Sequence, residues 1–441
     1  MRRRRVAIVG IGESRSGEVP DATHWQLHRE AASAAFVDAG LSPADVDGLF
    51  SCGADLMHPV QLGEYLGLRP DYVDGTQVGG SSWEFFVHHA IGAIEAGLCD
   101  VALLNYATTS RSDLKRKTRS ANVAIDARGP AQFESAYGHT VIGRHAMAAT
   151  RHMHEFGTTP EQLAAIAVQA RANAALNPNA MYRDPLTVED VLSSREICSP
   201  LHKLDCCIRS DGGGAVLLVG EDRARSLNKE PVWLLGAGEA TSHHTMSEWK
   251  DFTESPARRS ARRAFAMAGV KPDEIDVVQV YDSFTITVLL TLEAMGFCSR
   301  GEGGAFVENG RLLIDGDLPT NTDGGGLSSN HPGMRGIFLI IEAVRQLRGE
   351  AGDRQVKRAQ LAAVNGTGGW FSSTGTLVLG VEQAVRAEEK TGAAHAEVDA
   401  GAAPFASDEV LDAVSTKRIP VGAGSTASKE ADPRSSEPRD A

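Results

Sequence analysis

The chain has 441 residues, of which 44 are Lys or Arg and 57 are Asp or Glu, and its formal net charge is −13 at pH 7. This acidic balance argues against non-specific nucleic-acid binding, which needs a basic surface. The length exceeds what one hydrophobic core usually supports, so two core-forming units are expected. No apolar run is long enough for a membrane span. Six cysteines without C-x-x-C spacing favour a reduced, cytoplasmic protein with no disulfide framework.

The first half of the chain alternates strands and helices. Its first apolar strand, residues 6–11, follows four arginines but is too short for the core of a signal peptide. A helix, a strand, a buried helix that begins near Gly80 and a strand that ends near Leu104 are predicted to follow. Such alternation favours parallel sheets covered by helices.

Residues 105–200 interrupt this alternation. They are rich in Arg, His, Ala and Asn, and they include a helical segment around residues 159–163. We interpret them as a loop domain inserted between strands of the first half. The strand at residues 215–219 then completes that half, which is predicted to cover residues 1–230.

The second half, residues 231–383, repeats features of the first. The segment that ends at Asp47 reads AAFVDAGLSPADVD, and the segment that ends at Asp276 reads RAFAMAGVKPDEID. An apolar strand that stops at glycines precedes each copy. The spacing is far longer than that of solenoid repeats, which run to about 20–50 residues. It indicates two related α/β halves packed on one another.

The composition changes again over residues 384–441, which are mostly Ala, Ser, Gly, Pro and charged residues, with Phe405 as the only aromatic residue. Such a segment buries too little apolar surface to order itself easily. We predict a flexible tail that is dispensable for folding. The short apolar stretch at residues 410–414 could still dock on a partner.

Tyr281 and Asp282 directly follow the predicted strand at residues 277–280 and precede a predicted helix. The carboxyl ends of parallel strands are where α/β sheets place ligand-contacting groups. Asp is a favoured N-cap, so we expect Asp282 to cap the helix. Tyr281 is the candidate for chemistry.

A glycine-rich loop, residues 321–333, contains Asn330 and His331 and runs into an apolar helix. Its glycines allow a ligand to approach the backbone closely, and the helix start offers free N–H groups. A histidine there can move protons near neutral pH, although a structural histidine that caps the helix is an equally good interpretation. A Rossmann phosphate loop does not fit, because no strand precedes the glycines at G-x-G-x-x-G spacing.

A second glycine turn, which includes Gly368, follows the next predicted strand. Exposed N–H groups in such a turn can form an oxyanion hole, and a tight turn between two strands is equally compatible. Histidine pairs occur at residues 88–89, 152–154 and 243–244, but they lack further ligands at metal spacing, so no metal site is predicted. Cys206 and Cys207 are interpreted as small buried hydrophobic residues.

Together, several short motifs resemble the thiolase superfamily in its sterol-carrier-protein-like or lipid-transfer-protein-like branch. The resemblance covers residues 5 to about 383. The motifs are SPLHKLDCC from Ser199, SDG from Ser210, YDSF from Tyr281, NHPG from Asn330 and the glycine turn after Asn365. The resemblance implies a five-layered α/β/α/β/α fold of two duplicated halves. It also implies a homodimer through edge strands of the first half, with residues 100–105 as the candidate contact.

The chain departs from a thiolase at two positions. A thiolase would carry its nucleophilic cysteine at position 80, where this chain has Gly80, and a second cysteine near Asn365 and Gly366. The neighbouring serines are poor substitutes, because a hydroxyl needs an adjacent base to become nucleophilic. Acyl transfer through a cysteine is therefore not expected.

Similar cysteine-less members of the superfamily include aldolases that shorten steroid side chains. They cleave a β-hydroxyacyl-CoA into a ketone and a shorter acyl-CoA, and the tyrosine of a Tyr-Asp-x-Phe motif, here Tyr281, is implied as the base. They also carry a second tyrosine near the position of His331, whereas this sequence has no tyrosine after Tyr281. His331 is therefore the candidate for the second role. The resemblance further implies a separate OB-fold, zinc-ribbon protein as a partner in a heterotetramer.

The leading hypothesis is a retro-aldol carbon–carbon lyase that acts on a CoA thioester in steroid or lipid side-chain degradation, with no covalently bound cofactor. The rivals are a thiolase or Claisen-type acyltransferase with an unusual nucleophile, and a non-catalytic acyl-CoA-binding subunit. Tyr281 and His331 are predicted to be catalytic and to face one pocket. The predicted oxyanion and substrate pocket consists of Gly80, Ser81, Asp282, Asn330 and Gly368.

Overall fold

The computed structural model describes residues 5–53, 55–116, 131–135, 137 and 140–384. The strands in these ranges are β1 (Val6–Glu13), β2 (Gly48–Phe50), β3 (Tyr72–Asp74), β4 (Val101–Thr108), β5 (Glu196–Cys198), β6 (Leu201–His202), β7 (Gly212–Gly220), β8 (Val232–Thr241), β9 (Val277–Val280), β10 (Leu361–Gly368) and β11 (Ser373–Gly380). The helices are α1 (His24–Ala39), α2 (His58–Leu66), α3 (Ser82–Glu95), α4 (Ser110–Lys115), α5 (Ala131–Ser135), α6 (Val141–Phe156), α7 (Pro160–Ala175), α8 (Val188–Ser193), α9 (Glu221–Ser226), α10 (Ala257–Ala268), α11 (Thr285–Met295), α12 (Gly303–Phe306) and α13 (Gly336–Arg348). Apart from Ala384, the predicted tail at residues 384–441 lies outside the described residues.

The main sheet has the order β3-β2-β4-β7-β1-β8-β11-β10-β9 within the described ranges. It is symmetric about the short antiparallel pairing of β1 with β8. Reading outward from that pairing, β1-β7-β4-β2 and β8-β11-β10-β9 each contain two antiparallel neighbours followed by a parallel one. The duplication that the sequence predicts is therefore confirmed in the order and direction of these strands.

Five layers result from how the helices cover the two halves of the sheet. Helix α1 packs on β1, β4 and β7, and α10 packs on β8 and β11. Helices α3 and α13 contact each other and strands of both halves, so they form the central layer. Side chains of β1 alternate between two cores, Ala7 and Val9 on one face and Val6 and Ile8 on the other. The predicted α/β/α/β/α architecture is confirmed.

The sequence suggested that β1 and β8 stop at their glycines. In the structure both strands continue beyond them. Gly10 and Gly236 lie inside β1 and β8. A Cβ atom on Gly10 would lie 2.6 Å from the carbonyl oxygen of Ala35, and one on Gly236 would overlap the backbone of Ala264. These glycines therefore let the strands pack closely against the backbones of α1 and α10.

Two expectations about the first half are wrong. Strand β4 continues to Thr108, so the insertion begins after that residue and not at residue 105. Residues 100–105 cannot form an edge-strand contact either, because β4 lies between β2 and β7 and its residues 101–107 are buried. A continuous apolar run is typical of such a central strand. The edge strand of this half is β3.

In the described part of the chain, no helix combines the length and apolar character needed to cross a membrane.

Candidate active site

Tyr281 and His331 form a hydrogen-bonded pair. The Tyr281 Oη lies 3.1 Å from His331 Nε2, and the two rings are nearly perpendicular. Tyr281 follows β9, and its backbone N–H donates to the Asn365 carbonyl of β10 at 2.9 Å. The backbone N–H of His331 donates to the Ser210 hydroxyl at 2.9 Å, and its carbonyl accepts from the Ser210 N–H. Three distant segments therefore hold the pair in place.

The protonation states of the pair follow from burial. Desolvation raises the pKa of Tyr281 well above its ordinary value. Desolvation, assisted by the positive charge of Arg335, lowers the pKa of His331 to about 4. The backbone N–H of Arg335 donates to Tyr281 Oη at 3.2 Å, so the hydroxyl proton is directed to His331 Nε2. The imidazole of His331 is therefore neutral at pH 7 and can accept this proton.

The ring of Tyr281 fills the space that a cysteine at position 80 would use. Gly80 lies in the 3-10 turn that leads into α3. A Cβ atom there would lie 2.5 Å from Tyr281 Cζ and closer still to Cε2. Real Cβ atoms do not approach other atoms so closely. The Tyr281 ring can therefore lie here only because residue 80 is a glycine. Sequence analysis predicted that position 80 lacks a thiol. It did not predict that the Tyr281 ring would occupy the space of that thiol.

A different side chain fills the space beside Gly366, in the neighbourhood where the second cysteine is missing. A Cβ atom on Gly366 would overlap the Glu84 carboxyl, including Oε1 at 2.7 Å. Glu84 is 1% exposed, and neither carboxyl oxygen has a hydrogen-bond partner among the described residues. Desolvation raises the pKa of this carboxyl well above 4.5. Sequence analysis missed Glu84, whose only signal is an acid in the first turn of the apolar helix α3.

Replacing Glu84 by Gln is expected to stabilise the fold increasingly as pH rises. The carboxyl ionises near pH 4.5 in the unfolded chain but retains its proton to higher pH in the folded protein. The free energy of unfolding of the wild type therefore falls by up to about 1.4 kcal/mol per pH unit between the pKa of Glu84 in the unfolded chain and its raised pKa in the folded protein. Gln does not titrate. Thermal unfolding at pH 5 and pH 8 should show the variant gaining relative to wild type, whereas the exposed control Glu189→Gln should show no such trend.

A buried charge cluster around Arg335 organises the loop that carries His331. The Arg335 guanidinium donates to both Asp323 carboxylate oxygens at 2.6 Å and to the Asn330 side chain at 2.8 Å, and its Nε lies 3.6 Å from Asp282. Asp282 does not cap α11, contrary to expectation. Its carboxylate accepts from the N–H groups of Gly326 and Leu327, in a π-helical turn just before His331. Arg335 and Asp323 were not among the predicted site residues.

Comparison with known proteins identifies the family. The family model described as thiolase C-terminal domain-like matches residues 238–381. An acetyl-CoA acetyltransferase of Methanothermobacter thermautotrophicus is 35% identical over 375 residues, which cover 83% of this chain and 97% of that protein. The chain belongs to the thiolase superfamily. The superfamily predicted from the sequence motifs is therefore confirmed.

Two further similarities place this superfamily member in the predicted branch. A steroid side-chain-cleaving aldolase of Thermomonospora curvata is 35% identical over 391 residues, which cover 86% of this chain and 98% of that protein. The structure named Ltp2-ChsH2(DUF35) aldolase superimposes with a TM-score of 0.78 at 34% identity, covering 87% of this chain and 99% of that one. The described core thus has the fold of a superfamily member that is named as an aldolase.

The remaining predicted pocket residues of this thiolase-superfamily chain join the two halves near the pair. The Ser81 hydroxyl lies 2.9 Å from the Ser373 hydroxyl at the start of β11. A Cβ atom on Gly79 would lie 3.0 Å from the Gly368 Cα, so the glycine turn packs directly on the start of α3. That N–H groups near Gly80 and Gly368 bind an enolate oxygen stays a prediction.

A cavity of about 670 Å³ lies beside α6, and neither Tyr281 nor His331 lines it. The pair itself is nearly closed, with Tyr281 5% and His331 9% exposed. This cavity is therefore not the single pocket that the pair was expected to face. Its lining is partly basic and includes Arg151, His154 and Lys250.

Within the described ranges, no cluster of His, Cys, Asp or Glu side chains is arranged to hold a metal ion.

Proposed function

We propose that this protein cleaves a β-hydroxyacyl-CoA by a retro-aldol reaction into a ketone and a shorter acyl-CoA. One observation carries the proposal. The Tyr281 ring packs on Gly80, in the space of the missing cysteine side chain, and its hydroxyl lies between His331 Nε2 and the Arg335 N–H. A proton-transfer group thus stands where a thiolase would carry its nucleophile. The similarity to a steroid side-chain-cleaving aldolase supports a steroid or lipid side chain as the acyl group.

The pair supplies the base for this reaction. Tyr281 passes its hydroxyl proton to His331 Nε2 and takes the proton of the substrate β-hydroxyl, which avoids a free tyrosinate in a buried site. The β-oxygen then forms the ketone carbonyl as the Cα–Cβ bond breaks, and the electron pair moves into the thioester as an enolate. N–H groups near Gly80 and Gly368 would hold the enolate oxygen.

The pKa values of five of the six thiols weigh against these five as the nucleophile of an acyltransferase. Burial raises the pKa of Cys52, Cys99, Cys206 and Cys298 to about 12, and it also raises the pKa of Cys207. Because the thiolate is the reactive form, these cysteines are poor nucleophiles at neutral pH. Similarity to an acetyl-CoA acetyltransferase keeps this rival worth testing.

Helix α6 supports a location for the CoA moiety. Its Arg151 lines the cavity together with Lys250, and cationic side chains suit the phosphates of CoA. The same helix packs His145 against Phe284, at a ring-centroid distance of 4.3 Å, in the segment that begins at Tyr281. We therefore assign the cavity beside α6 to the CoA moiety.

Product analysis with and without free CoA tests the proposed function. The substrate should be a β-hydroxyacyl-CoA whose β-carbon carries two carbon substituents in addition to Cα. Only such a substrate yields a ketone when the Cα–Cβ bond breaks. A lyase releases ketone and shorter acyl-CoA without added CoA. A thiolase acts on a β-ketoacyl-CoA and requires CoA, and a non-catalytic subunit converts neither substrate. The last two results would each refute the proposal.

A homodimer through β3 is expected. Strand β3 is an edge strand, and the exposed apolar side chains near it and on α2 are Leu56, Met57, Val60, Tyr65 and Val73. An exposed edge with apolar side chains favours pairing with a second chain. Light scattering at micromolar concentration should show a dimer that Val73→Lys weakens and Val37→Lys, on the outer helix α1, does not. A wild-type monomer under these conditions would refute this expectation.

A second polypeptide is also part of the proposal. The name of the similar structure, Ltp2-ChsH2(DUF35) aldolase, joins two components. We propose that this chain forms a heterotetramer with a separate OB-fold, zinc-ribbon protein. Co-expression with such a protein followed by mass measurement of the complex tests this assignment, and two chains that migrate separately would contradict it.

A further inference from the structure

The proposed retro-aldol reaction needs two proton transfers, and the Tyr281–His331 pair provides for only one. Loss of the β-hydroxyl proton starts the reaction, and the enolate left after Cα–Cβ cleavage must gain a proton at Cα. A donor for that step has to carry a proton at neutral pH and lie near the pair. The inference drawn from this requirement rests on the proposed function.

Glu84 is a buried acid without a partner at the start of α3. It lies one helical turn after Gly80, and side chains on a helix lean toward its N-terminus, so the carboxyl is directed back toward Gly80. A Cβ atom on Gly336 would lie 2.7 Å from Glu84 Oε2 and would also overlap the Gly80 carbonyl oxygen. The carboxyl therefore lies beside the first residue of α13.

The same stretch of backbone also holds the Tyr281 hydroxyl. Arg335, which donates its N–H to Tyr281 Oη, directly precedes Gly336, against which the Glu84 carboxyl packs. Gly80 in turn contacts the Tyr281 ring on its Cα side. The Tyr281 hydroxyl, which is hydrogen-bonded to His331, and the Glu84 carboxyl thus both lie against the backbone that joins Arg335 to Gly336.

Three glycines provide the space for the Glu84 side chain. A side chain on Gly336, Gly366 or Gly375 would collide with Glu84. No described residue donates a hydrogen bond to the carboxyl or accepts one from it. Burial of a polar group without a partner costs free energy, and such groups concentrate at functional sites. Burial also raises the pKa of the carboxyl well above 4.5, which favours its protonated form.

We propose that Glu84 is the catalytic acid that protonates the enolate at Cα. The carboxyl O–H bond breaks as the Cα–H bond forms, and the enolate electron pair supplies the new bond. The proton that Tyr281 and His331 took from the β-hydroxyl restores the neutral Glu84. The net reaction moves one proton from the β-oxygen to Cα and consumes no co-reactant.

Exchange of the α-hydrogens of acetyl-CoA and propionyl-CoA in D₂O separates the two proton transfers. In this exchange Glu84 first loses its proton to solvent, and its carboxylate then takes a proton from Cα. That proton exchanges for a deuteron of the solvent, and the acid returns the deuteron to Cα, so no group at the β-oxygen is needed. Wild type should exchange, and Tyr281→Phe should still exchange while losing cleavage. Glu84→Gln should lose at least 100-fold in both reactions. Glu84→Asp, whose carboxyl is one methylene shorter, should recover part of the exchange.

The outcomes distinguish failure of this inference from failure of the proposed function. Exchange by Glu84→Gln within threefold of wild type would overturn the role of Glu84, even if wild type cleaves its substrate. Absence of exchange by wild type would overturn it as well. Absence of ketone release by wild type would instead refute the lyase function. Unfolding of Glu84→Gln is monitored by its melting temperature, which should equal or exceed that of wild type at pH 8.

Discussion

Replacing Tyr281 by Phe should lower kcat for β-hydroxyacyl-CoA cleavage by about 10²–10⁴-fold, the usual contribution of a general base. The substitution removes only the hydroxyl, which lies between His331 and the Arg335 N–H, and keeps the ring that packs on Gly80. It leaves two buried polar groups without a partner, at a cost of about 1–3 kcal/mol each. The variant should therefore remain folded, as circular dichroism can verify.

Tyr106→Phe is the matched control for this substitution. The Tyr106 hydroxyl is buried and donates to the Pro332 carbonyl at 2.8 Å, and it accepts from the Met334 N–H at 3.0 Å. It thus supports the loop after His331, whereas the Tyr281 hydroxyl is bound by His331 and the Arg335 N–H. We expect less than a tenfold loss of kcat. Full turnover by Tyr281→Phe, or equal losses in both variants, would remove Tyr281 from the mechanism.

Replacing Gly80 by Cys should reduce lyase turnover at least 100-fold without creating thiolase activity. The new Cβ atom would overlap the Tyr281 ring, so the ring and its hydroxyl must move away from His331. A displacement of about 1 Å can cost 100-fold in rate. Thiolase chemistry is not expected, because Glu84 fills the space beside Gly366, in the neighbourhood where the second cysteine is missing. Assays with β-hydroxyacyl-CoA and with β-ketoacyl-CoA plus CoA measure both activities.

Gly92→Ala is the control for the glycine substitution. Gly92 is in the same helix, α3, and apart from its chain neighbours and the adjacent helix backbone no atom lies within 4 Å of a Cβ atom placed there. This change should leave turnover intact and add about 1 kcal/mol of stability through helix propensity. If Gly80→Cys retained normal lyase turnover, the Tyr281 ring could not be needed in its present position.

The sequence predicted those parts of the molecule that its own repetition encodes. The copies that end at Asp47 and Asp276 implied two related halves, and the strand order confirms them. The same symmetry brings the starts of α3 and α13 together, which is why Tyr281, Gly80 and His331 could be expected near one another. Position within the sheet was harder to predict. The apolar run of β4 suggested a contact surface, but it belongs to a buried central strand.

The groups that sequence analysis missed depend on contacts between distant segments. Glu84 shows only as one acid in an apolar helix, because the glycines around it come from α13, β10 and β11. Arg335 resembles any residue before a helix until Asp323 and Asn330 are seen to bind its guanidinium. Asp282 was expected to cap the helix that follows it in sequence. Its carboxylate instead binds a turn about 40 residues later, which local N-cap preferences cannot reveal.

Intact-protein mass spectrometry during turnover tests the central claim most directly. The claim is that a tyrosine–histidine pair in the space of the missing cysteine cleaves a carbon–carbon bond without an acyl-enzyme. The protein would be mixed with a β-hydroxyacyl-CoA in the absence of free CoA and quenched in acid at successive times. We predict an unchanged protein mass while ketone and shorter acyl-CoA accumulate in equal amounts. A transient mass increase equal to an acyl group would contradict the account.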